Sequence, residues 1–302
     1  EADATRSPVY LMANGTGAEL APGSSLRGAD WLAIAIADRQ PGRRDARVRS
    51  AVAIDEPTAR ELGRSLLRTD RSVRWRDGDV RAERVERLGA IVLSTRPLPE
   101  PDAAAVRDAL LDGLRAEGLG LLRWSGAATE LRARLAACRA GLGDPWPDVS
   151  DAALLETVAE AVRHGRVRSA ADLRKLDVTG LLRAQVPWSV AGRLDETAPE
   201  RVLVPSGSRV RVDYTDPTAP LLAVKVQEVF GWSSAPVVAG RPLLLHLLSP
   251  AARPVAVTSD LASFWATGYA GVRAELRGRY PRHPWPEDPT AADATRRVKP
   301  RR

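Results

Sequence analysis

Residues Val73 to Ala82 read Val-Arg-Trp-Arg-Asp-Gly-Asp-Val-Arg-Ala. Alternation on both sides of Asp77-Gly78 predicts two strands joined by a two-residue hairpin turn, since Asp-Gly supplies the left-handed positions that such a turn needs. The turn sets the register. Trp75 stands opposite Val80, and on the other face Arg74 stands opposite Arg81. Like charges directly opposed in a sheet are destabilising. The two arginines therefore either splay into water or hold an anion between them.

Toward the N-terminus the same two-residue period continues. Tyr10 to Ala13 leads into Asn14-Gly15, a second hairpin signal. Trp31 to Ala37 is apolar on both faces, with Leu32, Ile34 and Ile36 on one and Trp31 with alanines on the other, which predicts a central strand. Arg47 to Ile54 is expected to turn Val48, Val52 and Ile54 inward and Arg47 and Arg49 outward. Five or so short strands with a helical interruption near Thr58 to Leu67 predict an OB-like small β-barrel over residues 1–98.

Beyond Pro99 the apolar spacing becomes helical. Four stripes stand out: Val106, Leu110, Leu111 and Leu114; Leu131, Leu135 and Cys138; Leu154, Leu155, Val158 and Val162; Leu173, Leu176, Leu181 and Leu182. Ser169 with Asp172 suggests a capping box, and Ser150 an N-cap. Residues 99–200 are thus expected to be a helical segment. Strands return over 201–280, including Val210, Val212 and Tyr214 alternating with Arg209, Arg211 and Asp213, and Leu243 to Leu248 as a buried strand. A long helix from near Ser259 carries Leu261, Phe264, Trp265, Val272 and Leu276. This part reads as a C-terminal α+β domain, followed by a Pro-rich basic tail over 281–302 that Trp285 would pin to a surface. The expected fold class is α+β and multidomain.

Composition narrows the function classes. The chain has 302 residues, 44% of them hydrophobic and 27% charged, and a net charge of +7. No apolar run is long enough for a membrane helix, so no membrane partner is expected. Lysine occurs only at Lys175, Lys225 and Lys299, so the excess is arginine, whose planar fork suits phosphate. A GC-rich coding bias would also enrich arginine, and both readings stand. The single cysteine, Cys138, excludes an internal disulfide and fits a buried thiol in a reducing cytoplasm. The chain opens on Glu1, with neither a basic nor an apolar leader up to Val9, and is expected to be a fragment without a signal peptide.

No complete catalytic motif is found. A phosphate-binding motor loop ends in Gly-Lys-Ser/Thr, and no Gly-Lys pair occurs. Asp195-Glu196-Thr197-Ala198 imitates an acidic motor box but lies in a helical stretch. His164, His246 and His283 are dispersed and give no metal-ligand spacing. His246, with Asp213 or Asp260, is the one imaginable acid-base group, against a plain core histidine. Ser206-Gly207-Ser208 lacks the Gly-x-Ser-x-Gly elbow and reads as a hairpin turn, although its N–H groups beside Arg209 and Arg211 could cradle a phosphate. Trp75 between Arg74 and Arg76 is the best local match to a base-stacking residue.

Longer strings carry a resemblance. VPSGSRVRVDY (Val204 to Tyr214), VQEVFG (Val226 to Gly231), RPLLLHLLSPAARPVAVTSDLASFW (Arg241 to Trp265) and ELRGRYPRHPWPEDP (Glu275 to Pro289) resemble the C-terminal region of HrpB-type ATP-dependent helicases of the DEAH-box group. YLMANGTGAEL (Tyr10 to Leu20), DWLAIAIADR (Asp30 to Arg39), RLGAIVLSTRPL (Arg87 to Leu98) and DPWPDVSDAALL (Asp144 to Leu155) look like the same family's post-motor segment. The resemblance implies two RecA-like motor domains, a winged helix and a helical bundle ahead of Glu1, with ATP and magnesium held in that parent motor and no cofactor in this chain. It also implies an OB-type domain that faces a nucleic-acid channel and can receive regulatory partners. None of the family's catalytic residues has a counterpart here.

The expected function is an accessory region that binds single-stranded RNA (or DNA) and packs on its own helicase motor domains. Arg47, Arg49, Arg74, Arg76, Arg81, Arg209 and Arg211 are the candidate phosphate contacts, joined by Trp75, Ser206 and Ser208. The alternative is a protein-interaction scaffold that docks a protein partner through Trp265, Trp285 and the tail. An independent hydrolase around His246 is the third reading.

Overall fold

The computed structural model describes residues 9–297. The chain divides into two compact units, one running up to Glu117 and including Ala161–Asp172, the other comprising Gly118–Glu160 and the residues from Leu173 onward. The mixed α and β content matches the sequence reading. No closed barrel is formed among the described residues; the strands lie in several small open sheets.

In the first unit, β1 (Val9–Leu11) and β2 (Gly17–Glu19) form the hairpin read from Asn14-Gly15, with Gly15 at φ +88°. β2 then runs parallel to β4 (Ala46–Ile54), and β4 pairs antiparallel with β3 (Trp31–Asp38), in the order β1-β2-β4-β3. β3 is therefore an edge strand, not the central strand expected from its two apolar faces. β4 takes the centre, and much of the surface that β3 leaves uncovered is alanine, which costs little to expose. Register shifts on either side of Ile36 place Ile34 opposite Ala51 and Ala37 opposite Val48. An added residue in a strand reverses which face its side chains take. Val48 consequently joins the core with Ala18 and Leu20, packed by Leu32, Ile34 and Ala51, whereas Val52 and Ile36 point out. The inward placement expected for Val52 is corrected on that ground.

After α1 (Glu56–Leu62), whose first turn is capped by Asp55 accepting from the Thr58 N–H at 2.9 Å, come two ten-residue strands, β5 (Leu67–Arg76) and β6 (Asp79–Leu88). Asp77 at φ +53° and Gly78 at φ +73° make the expected two-residue turn, with Trp75 opposite Val80 and Arg74 opposite Arg81. β7 (Ile91–Pro97) completes a meander in the order β5-β6-β7, a separate sheet in its own right. Helix α2 (Ala103–Glu117) packs on β5 and β6, burying Ala109, Leu110, Gly113 and Leu114.

The second unit begins with α3 (Gly126–Leu142), N-capped by Ser125, and continues through α4 (Asp151–Arg163), α5 (Ala170–Lys175), α6 (Val178–Ala184), α7 (Trp188–Ala191) and α8 (Leu194–Thr197), of which α4 and α5 contribute only in part. Ser150 caps α4 through the Ala153 N–H, and Ser169 accepts from the Asp172 N–H, as their positions suggested. Arg134 of α3 is only 4% exposed. Its guanidinium donates to the Ala198 carbonyl at 2.6 Å and to Asp195 at 2.5 Å. The stretch that imitates an acidic motor box is thus a helix end tied down by an internal cation.

β8 (Arg201–Leu203) and β9 (Arg209–Arg211) form a short hairpin. β10 (Leu221–Lys225) pairs parallel with β13 (Leu244–Leu248), which pairs antiparallel with β14 (Pro254–Thr258), while β11 (Val237–Val238) and β12 (Arg241–Pro242) form a two-stranded ribbon. Leu243, Leu245 and Leu247 are fully buried, but Leu244, His246 and Leu248 are only half-buried, so β13 is covered fully on one face alone. The closing helical stretch runs as α9 (Leu261–Ser263), a π turn over Phe264–Gly268, and α10 (Tyr269–Arg279). The π turn gathers Phe264, Trp265 and Tyr269 with Phe230 at centroid separations of 5.0–6.5 Å. The tail is fixed as Trp285 was expected to fix it, by its indole N–H on the Tyr280 carbonyl, and also by the Tyr269 hydroxyl on the Pro286 carbonyl. Residues 298–302 of the tail lie outside the described residues.

Gly113 is the tightest point between α2 and its sheet, because a Cβ there would stand 2.3 Å from the Trp75 indole. Replacing glycine within a helix gains up to about 1 kcal/mol of propensity, whereas overpacking costs about 1–3 kcal/mol. Gly113→Val, whose propensity gain is smaller still, is expected to lower the thermal midpoint by several degrees, read by circular dichroism. An unchanged midpoint would show that Trp75 is free to move aside.

Candidate nucleic-acid interface

Alternation along β5 and β6 divides their side chains between two faces. Trp75 and Val80 share the face that α2 covers. The Trp75 indole N–H donates to the Glu117 carboxylate at 2.5 Å, and the ring lies against Gly113. Trp75 is therefore a half-buried packing residue whose ring is turned to α2, on the face opposite Arg74 and Arg76, which does not favour the base-stacking role considered for it.

The opposite face carries Arg74, Arg76, Arg81 and Arg87, together with Asp70 and Glu83. They line a groove of about 690 Å³ whose rim is completed by Glu100 and Asp102. Arg87 pairs with Asp70 at 3.5 Å and Arg76 with Asp77 at 3.6 Å, both at the exposed surface. Arg74 and Arg81 are exposed and directly opposed, and neither has a side-chain hydrogen bond or ion pair among the described residues. Arg87 was not singled out from the sequence. Extending the alternation from Arg81 through Glu83 and Val85 would have found it.

Opposed arginines recur in the same meander, where Arg68 faces Arg87, Arg71 faces Arg84 and Arg84 faces Arg96, and a further pair shows one way in which such a contact is relieved. Arg201 faces Arg211 across β8 and β9. Arg211 reaches the Glu130 carboxylate at 2.6 Å, and Arg201 donates to the Arg209 carbonyl at 3.2 Å. Arg74 and Arg81 have no such outlet, and neither do Arg71 and Arg84 among the described residues; Arg74 and Arg81 share their face with Arg76 and Arg87.

The remaining candidates are placed less favourably. Arg49 is held by Asp38 through Nε at 3.1 Å and Nη2 at 2.8 Å, and this pairing draws the Asp38 carboxyl below its usual range. Arg47 is exposed on β4, in register with Asp38 and Glu19. At Ser206-Gly207-Ser208 the backbone donors are already taken: the Ser206 N–H by the Glu228 carbonyl, the Gly207 N–H by the Val204 carbonyl, and the Ser208 N–H by the Ser206 hydroxyl. The Ser206 hydroxyl donates to the Glu228 carboxylate at 2.9 Å. A carboxylate thus occupies the place that a phosphate would need. Arg209 is exposed on the neighbouring strand and its side chain is unpaired among the described residues.

Other chemistry finds no support in the geometry. His246 lies in register with Ala223 and Val257 and has no carboxylate partner among the described residues. Asp213 is engaged by Thr215, and Asp260 caps α9. Burial pushes the Cys138 thiol up to about 11, which keeps it a protonated core group. No helix among the described residues is long and apolar enough to cross a membrane.

Comparison with known proteins agrees with the residues quoted above. Residues 161–289 match the family model described as ATP-dependent helicase C-terminal, HrpB_C. The chain is 36% identical over 297 residues to the ATP-dependent RNA helicase HrpB of Escherichia coli (strain K12), covering 96% of this chain and 37% of that protein. Crystal structures of the E. coli DExH-box NTPase HrpB and of the E. coli DEAH/RHA helicase HrpB superpose with TM-scores of 0.60 and 0.51, at 36% and 33% identity. They cover 96% and 93% of this chain, and 37% and 36% of theirs. The chain thus spans little more than a third of the proteins it matches.

Proposed function

Because the chain resembles the C-terminal region of HrpB-type ATP-dependent helicases along nearly its whole length, we propose that it is an accessory region that holds the phosphate backbone of single-stranded nucleic acid beside an ATP-driven motor. The observation that carries this reading is the unrelieved Arg74 and Arg81 pair above the groove of the β5-β6-β7 sheet. Two arginines set directly opposite one another by backbone pairing are placed to share one anion, and a phosphate would supply the partner that neither finds in Asp70, Glu83, Glu100 or Asp102 of the groove. Arg76 and Arg87 lie on the same face, and their exposed ion pairs are weak enough to be exchanged for phosphate.

In this reading the small open sheets take the part that the resemblance gives to an OB-type domain. ATP and magnesium belong to the motor, and this chain contributes no step of hydrolysis. A cytoplasmic setting, where RNA is the abundant single strand, belongs to the same proposal.

A second observation favours packing on the motor itself or on another protein partner. An apolar cleft of about 610 Å³ in the first unit is lined by Met12, Leu32, Ile54, Leu62, Leu66 and Ile91. Leu62 is 70% exposed and Leu66 44%. Clustered exposed leucines of this kind mark contact surfaces. The two readings concern different faces and are compatible.

Two measurements separate them. For Arg74→Ala with Arg81→Ala, single-strand affinity is expected to fall, and the log-log salt dependence to become shallower by about 0.7 for the one phosphate that is no longer held. A slope equal to that of the unaltered chain would overturn the phosphate reading. For Leu62→Ser with Leu66→Ser, single-strand binding should persist while association with separately produced motor domains weakens. Undiminished association would remove the cleft from the account.

A further inference from the structure

Trp188 stands apart from every other tryptophan of the chain. It is 92% exposed, whereas the rest are buried or half-buried. The indole N–H groups of Trp75, Trp124, Trp265 and Trp285 each find an acceptor, while those of Trp31, Trp146, Trp188 and Trp232 find none among the described residues, and of these four only Trp188 is exposed. A ring left in water on both faces is unusual for the side chain with most to gain from burial.

The mounting of this ring is rigid. Pro187, at φ −58°, precedes it and accepts from the Val190 and Ala191 N–H groups, at 3.0 and 3.1 Å. Val190 is buried beneath, as is Leu182 of α6. The backbone is thus fixed while the indole projects outward, so little order would be lost on binding.

Its surroundings favour one class of partner. Arg183, in the last turn of α6, and Arg193, just past α7, lie five residues to either side, are exposed, and have unpaired side chains among the described residues. Of the nearby carboxylates, Asp195 is taken by Arg134, leaving Glu196 as the local opposing charge. Ala184, Ser189, Ala191 and Gly192 are the exposed neighbours along the chain, and none is a large apolar residue. A protein hot spot needs a surrounding ring of contacts to exclude water. A nucleobase needs one π-face, with cations nearby for its phosphates.

We propose that Trp188 is a stacking platform for an unpaired base, with Arg183 and Arg193 meeting the adjoining phosphates. The proposal rests on the reading of the chain as a single-strand binder and adds a base contact to the phosphate contacts already assigned.

The test compares the full chain with Trp188→Ala and Trp188→Phe by fluorescence anisotropy, on a labelled twelve-nucleotide RNA and on an abasic strand of the same length. The unaltered chain should prefer the base-bearing strand. Trp188→Ala should bind that strand about tenfold more weakly, bind the abasic strand unchanged, and keep its salt slope. Trp188→Phe should recover most of the loss, and both variants should keep the thermal midpoint, as suits so exposed a position. Equal binding of the base-bearing strand by the unaltered chain and Trp188→Ala overturns the platform alone, as does an equal loss on both strands. If the unaltered chain binds neither strand, the phosphate reading fails together with it. Loss of association with motor domains in Trp188→Ala, with RNA binding intact, would reassign the ring to protein contact.

Discussion

The two-residue turn at Asp77-Gly78 is the constraint from which the first unit follows. Both residues sit in the left-handed region, and with that geometry the register of twenty strand residues is fixed. One face then receives Trp75, which meets Gly113 and anchors α2 to the sheet. The other receives Arg74 and Arg81, directly opposed and exposed, with no carboxylate paired to either among the described residues. Packing and charge are thus set by one local choice of backbone. A slip of one residue would bury the arginines against α2 and expose the indole.

The second unit solves a different problem, which is to hold several short helices against small sheets. Arg134 does much of this from inside, since its guanidinium donates to the Ala198 carbonyl just past α8 and to the Asp195 carboxylate within it. The π turn over Phe264–Gly268 serves the same end, turning Trp265 and Tyr269 together onto Phe230 and leaving the Tyr269 hydroxyl for the tail. These internal ties leave Trp188 on a fixed support with nothing covering it.

Much of this was legible in the sequence wherever a rule acts locally. Asp-Gly announced the hairpin, and the leucine stripes announced α2 and α3, because a turn or an amphipathic face is decided by near neighbours. The register shifts around Ile36 were not legible, since a bulge depends on what the partner strand requires, and they reversed the expectation for Val52. Trp75 looked like a stacking residue because it sits between two arginines, yet alternation sends it to the covered face. The serines of Ser206-Gly207-Ser208 looked free, but Glu228, 22 residues beyond Ser206, fills that turn. Exposure of Trp188 was equally invisible, as nothing within a few residues marks an indole that is left in water. The resemblance to HrpB-type helicases was readable from long strings, whereas the small open sheets in place of a barrel were not.

The account stands on one physical claim, that the opposed guanidinium groups of Arg74 and Arg81 are completed by a phosphate. The most direct measurement is a crystal structure of the chain with a short single-stranded oligonucleotide. A phosphate oxygen within roughly 3 Å of both guanidinium groups, on the face turned away from Trp75, is the expected result. A strand bound elsewhere, with both arginines splayed into solvent, would contradict it.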